Sequence, residues 1–128
     1  MPMPETKHKI SVQAKAQFIP GESDADEKRY VFAYKITITN TGTIAAQLIS
    51  RHWIITDANG QVQEVKGDGV VGEQPLLRPT QSFEYTSGTA IATPVGTMRG
   101  SYQMVGDDGV KFDAVIPEFT LAMPRTLH

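Results

Sequence analysis

The chain of 128 residues is 20% charged and 40% hydrophobic, with a formal net charge of −2. That describes one domain, long enough to bury roughly two thirds of its unfolded surface, and it excludes both a disordered chain and nucleic-acid binding by bulk electrostatics. There is no cysteine, which excludes thiol nucleophiles, thiolate metal sites and disulfides and fits a reducing compartment.

The residue mix favours strands. Val, Ile and Thr number 33 against 5 Leu, and β-branched side chains fit a pleated surface. No stretch places apolar residues at helical spacing over three turns, and no apolar run approaches the ~20 residues of a membrane helix. Met1-Pro2-Met3-Pro4-Glu5 has no apolar h-region, so the expected address is the cytoplasm, without membrane insertion.

In chain order, Ile10, Val12, Ala14, Ala16 and Phe18 alternate with polar partners and predict a first strand. Pro20-Gly21 ends it, and Glu22 to Lys28 reads as an exposed acidic loop. Tyr30, Phe32, Tyr34, Ile36 and Ile38 alternate strictly, as a central strand would, up to a turn at Asn40-Thr41-Gly42. Gln47 to Asp57 is a third strand, with Leu48 and Ile54 expected on one face and Ile49, Trp53 and Ile55 on the other. Asn59-Gly60 tolerates the positive φ of a hairpin turn and returns the chain as a strand over Gln61 to Lys66. Gly67 to Thr80 reads as a long connection. Ser82 to Ile91, Thr97 to Val105 and Val110 to Ile116 complete the set, with Pro117 marking the last as an edge or a bulge. About seven antiparallel strands predict an all-β, two-layer sandwich of the immunoglobulin or fibronectin type III kind, with a small closed barrel as the alternative. One domain over residues 8–124 is expected, between a flexible N-terminus of residues 1–7 and a flexible tail of residues 125–128.

Few residues invite a chemical reading. Gly67-Asp68-Gly69-Val70-Val71-Gly72 matches the glycine spacing of a dinucleotide loop. Pro75 follows where the helix of such a fold should begin, and no βαβ pattern surrounds it. Two readings remain: glycines supplying positive φ in a crossover, or Gly67, Asp68, Gly69 and Gly72 forming a backbone nest for an anion. Arg51 and Trp53 share a strand face opposite His52. Trp53 reads as a core anchor, whereas Arg51, His52 and Glu73 are candidates for a partner surface. Asp24, Asp26 and Glu27 lack the glycine and glutamate spacing of a calcium loop and read as a solvated turn, as do Asp107 and Asp108. No nucleophile elbow occurs. The chain is expected not to be an enzyme and to hold no metal and no cofactor.

A family resemblance lies in linked motifs. Tyr30-Val31-Phe32-Ala33-Tyr34-Lys35-Ile36-Thr37-Ile38-Thr39-Asn40, Arg51-His52-Trp53-Ile54-Ile55-Thr56-Asp57 and Val65-Lys66-Gly67-Asp68-Gly69-Val70-Val71-Gly72-Glu73-Gln74-Pro75 resemble the ApaG family in order. Phe83-Glu84-Tyr85-Thr86-Ser87-Gly88, Gly96-Thr97-Met98-Arg99-Gly100-Ser101-Tyr102 and Ile116-Pro117-Glu118-Phe119 continue the match from about Lys9 to Pro124. One departure is Thr80, where the family usually shows a glycine after the proline. The resemblance implies a fibronectin type III-like fold, a small bacterial cytoplasmic protein and a link to cobalt resistance and magnesium efflux. It supplies no catalytic residues. The expected function is a non-catalytic module binding a protein partner, with an indirect role in that metal phenotype and with homodimerisation through sheet edges as one form of partnership. The alternative is a sensor of a nucleotide or pyrophosphate at residues 67–72. Direct handling of divalent cations is a third reading, disfavoured by one internal histidine and no cysteine.

Overall fold

The computed structural model of the chain describes residues 6–124; the expected flexible ends fall outside it over residues 1–5 and 125–128. The strands are β1 (Ile10–Phe18), β2 (Tyr30–Asn40), β3 (Ala46–Asp57), β4 (Val62–Asp68), β5 (Leu76–Leu77), β6 (Ser82–Ile91), β7 (Val95–Gly106) and β8 (Lys111–Ala122). A single 3₁₀ turn at Pro20–Glu22 follows β1, and no described helix is long and apolar enough to cross a membrane. One sheet has the order β1-β2-β6 and the other β4-β3-β7-β8, with β5 paired to the start of β3. All ladders are antiparallel. The two sheets share no ladder, so the sandwich holds and the closed barrel does not; the strand order is that of a fibronectin type III domain.

Period-2 alternation produces the core. Phe32, Ile36 and Ile38 of β2 face Met98, Tyr102 and Met104 of β7 and Ile116 and Leu121 of β8, all fully buried. Trp53 is 2% exposed, with Tyr34, Phe119 and Tyr102 rings at centroid distances of 5.4, 5.9 and 6.3 Å. It is the core anchor that its strand position predicts.

Two expectations about the strands need correction. Leu48 does not share a face with Ile54: the β3–β7 register skips Ile49, and this bulge brings Leu48 into the core with Trp53 and Ile55 while Ile54 turns outward. A single inserted residue inverts the phase of everything beyond it, and alternation alone cannot register that. The glycine-rich connection is shorter than expected, because Gly67 and Asp68 are still in β4 and Leu76–Leu77 form the short β5. Pro117 falls as expected at an edge and a bulge, and Phe119 and Leu121 continue the strand beyond it. β8 is a sheet edge, and Pro117 and Glu118 together oppose Arg99, a bulge that spares the ladder the missing N–H.

The turn Arg78–Gln81 places Thr80, which stands where the resemblance leads one to expect glycine, at its third position. The Gln81 N–H donates to the Arg78 carbonyl, and Thr80 sits at φ 75. Proline followed by positive φ is a type II turn, whose third residue favours glycine. A β-branched side chain there is strained. Thr80→Gly is therefore expected to stabilise the protein by ~1 kcal/mol, read as a higher urea midpoint at unchanged slope; a lower midpoint would refute the strain.

Candidate functional site

The glycine motif is a closed hairpin. Val70 and Glu73 exchange two backbone hydrogen bonds of 2.8 Å, with Val71 at φ 43 and Gly72 at φ 80 between them, which makes a type I′ turn. Gly69 lies at φ 64 and donates its N–H to the Ile49 carbonyl at 2.8 Å. The N–H groups of Gly69, Val70 and Glu73 are thus engaged inside the protein.

Arg51 locks this hairpin from beneath. Its Nη1 donates to the carbonyls of Asp68 and Gly69 at 3.0 and 2.9 Å. Gly67 pairs with Arg51 across the ladder, and a Cβ there would lie 2.7–2.8 Å from the guanidinium. Glycine at 67 is what admits the arginine. Sequence spacing grouped the glycines; it carried no sign that the first of them serves an arginine 16 positions upstream.

Of the residues singled out in the sequence, Arg51, His52, Gly67 and Asp68 line one open cavity of about 490 Å³, completed by Ser50, Lys66 and Gln103. Gly69, Gly72 and Glu73 do not line it. On the outer face of this sheet His52 pairs with Glu64, while Ser50 donates to the Gln103 side-chain Oε1 at 2.8 Å and the Gln103 Nε2 donates to the Ser101 hydroxyl at 2.9 Å. The Glu64 side chain is 55% exposed, so the contact adds little stability. His8 pairs with Asp108 at 2.9 Å, and its hydrogen bond holds that carboxyl below the usual aspartate range. Asp24 spends one oxygen on the N–H groups of Asp26 and Glu27. Among the described residues no group of three or more His, Asp or Glu is placed to hold a metal ion.

Sequence reasoning missed a polar pair inside the sandwich. The hydroxyls of Tyr85 on β6 and Tyr102 on β7 hydrogen-bond to each other across the two sheets. Burial pushes the Tyr85 phenol up to about 12 and Tyr102 higher still. Both positions read as ordinary core aromatics in the sequence, because alternation says nothing about what lies on the opposite sheet.

The two sides of the sandwich differ. β1 and β8 pack along each other and close one side, whereas β4 and β6 make no comparable contact among the described residues. Two adjoining cavities of about 390 and 320 Å³ run along this open side, sharing Ile55, Gln63 and Ala90. Tyr34, Trp53 and Ile55 form the floor, and Arg51 stands at one end.

Comparison with known proteins decides the family. Residues 20–106 match the model of the ApaG domain. A protein named ApaG from Aromatoleum aromaticum is 66% identical over 122 residues, which are 95% of this chain and 96% of that one. The chain belongs to the ApaG family. The ApaG of Pseudomonas aeruginosa is 55% identical over 126 residues, covering 98% of this chain and all of its own. The crystal structure of a Bordetella pertussis protein named ApaA superposes with a TM-score of 0.91 at 54% identity, covering 96% of this chain and 100% of that one. The matched ApaG segment stops short of β1 and β8, the pair that closes one side of the sandwich.

Proposed function

We propose that this ApaG-family chain is a non-catalytic, cytoplasmic binding module whose ligand is another protein. The observation that carries the reading is the open side of the sandwich, where two strand edges face each other over an aromatic floor. Unpaired strand edges are templates for a further chain. The closed hairpin at residues 67–73 supports the same reading over that of a phosphate sensor, since its Gly69, Val70 and Glu73 N–H groups are spent internally and two of its carbonyls are held by Arg51. The link of the family to cobalt resistance and magnesium efflux is then indirect, acting through the partner.

The test is capture of bacterial lysate proteins on the immobilised full chain, beside a thermal-shift series with ATP, pyrophosphate, magnesium and cobalt. A reproducible protein partner is expected, with shifts of no more than about 2 °C at about 1 mM ligand. For the metals, calorimetric titration is expected to give no affinity tighter than millimolar. Cobalt(II) prefers imidazole or thiolate ligands, and magnesium keeps most of its waters unless substrate phosphates assist. A one-to-one micromolar isotherm, lost on Asp24→Ala with Asp26→Ala or on His52→Ala, would overturn the reading in favour of direct metal binding.

A further inference from the structure

Resting on that reading, we propose that the partner enters as an extended segment. It adds a strand to the free edge of β6, alternate side chains drop between the sheets, and one of its carboxylates meets Arg51.

The edge is set by hydrogen-bond phase. The Asn40 N–H donates to the Gln81 carbonyl, so residues 83, 85, 87, 89 and 91 pair with β2 while Thr86, Gly88 and Ala90 turn their N–H and C=O away from it. The other edges are guarded. β4 carries Glu64, Lys66 and Asp68; β8 carries Lys111, Asp113 and a proline; β1 packs along β8. Charge and proline on an edge discourage strand addition. β6 from Tyr85 to Ile91 reads Tyr-Thr-Ser-Gly-Thr-Ala-Ile, with no charge and no proline.

The groove beside this edge supplies the second half of strand recognition, a pocket for alternate side chains. Its floor of Tyr34, Trp53 and Ile55 suits small apolar groups. Its single cation is Arg51, half-buried, with Nη1 bound only to carbonyls, and among the described residues no carboxylate lies within 4 Å of it. A half-buried guanidinium lacking a counter-charge favours a carboxylate from outside. This charge separates a partner segment from a second copy. A second β6 would bring Ser87 and Thr89 into the groove and nothing acidic.

A phage-displayed library of random ten-residue peptides, selected on the immobilised full chain, supplies the probe. Enriched sequences are expected to alternate apolar and polar residues around one fixed Asp or Glu. The synthesised peptide should slow hydrogen exchange of the Thr86, Gly88 and Ala90 amides at least tenfold in wild-type protein. Gly88→Pro removes an outward N–H from an edge position that tolerates proline, and should weaken binding at least tenfold. Replacing the acid of the peptide by its amide should weaken binding to wild type about tenfold and leave binding to Arg51→Gln unchanged. Protection elsewhere, on the β4 amides or the outer face around His52, overturns the β6 site and leaves the binding-module reading standing. Failure of the library to yield a binder, or concentration-dependent dimerisation that protects the same three amides, also overturns it. The lysate capture then decides the broader reading on its own.

Discussion

Gly69→Val is expected to lower stability by ~3 kcal/mol or more, seen as a drop in melting temperature of roughly 10 °C. Two effects add. The residue lies at φ 64, where a β-branched side chain is strained by about 1–3 kcal/mol. A Cβ there would also overlap the Glu73 carbonyl, forcing open the bridge between Val70 and Glu73. Gly72→Val is the internal control. It meets the strain alone, since a Cβ at 72 points into open space, and should cost less. A Gly69→Val protein that keeps its melting temperature while losing pyrophosphate binding would make the hairpin a ligand site and refute its structural role.

Stability is expected to fall steeply in alkali because of the tyrosine pair. The folded state holds Tyr85 at about 12 against an ordinary value of 10.0, and Tyr102 above that. A phenol whose folded value is raised contributes stability that is fully present below pH 10 and is lost as pH climbs towards 12, because the unfolded chain ionises first. Two pH units of separation at Tyr85 correspond to about 3 kcal/mol, and Tyr102 acts in the same direction. Urea midpoints at pH 8 and pH 11.5 measure the loss. The Tyr85→Phe, Tyr102→Phe double variant should flatten the difference. A wild-type midpoint equal at both pH values would refute the account. At pH 8, Tyr85→Phe alone should cost about 1–3 kcal/mol, because it strands the other hydroxyl in the interior.

Alternation made most of the strands legible. β2, β7 and, as far as Ile116, β8 repeat apolar or small residues at every second position, and the structure buries most of them. The phase of β3 was illegible beyond Leu48, since the bulge at Ile49 is a property of two strands together and only one was being read. The site followed the same division. Arg51 and the glycines were visible as unusual residues, but their relation depends on the ladder pairing of 51 with 67. The open side of the sandwich depends on sheet order, which local periodicity does not encode. Thr80 is the converse case: the sequence reading singled it out after Pro79, and its positive φ supplies the physical meaning.

The closed side of the sandwich joins the first long strand to the last, and His8 and Asp108, one hundred positions apart, fasten the same seam. Such a seam forms only when nearly all of the chain is available. On the ribosome, β2 can find β1 early and β7 can find β3, yet β7 lacks its second neighbour until β8 emerges. Closing a loop of that length costs entropy before any contact repays it, so the last step should be a single cooperative event on the millisecond-to-second scale typical of non-local β folds. The emergence of β8, rather than of any earlier strand, then sets the moment of folding. A stop codon before Lys111 would leave β7 as an unguarded edge, a species bound for aggregation or degradation.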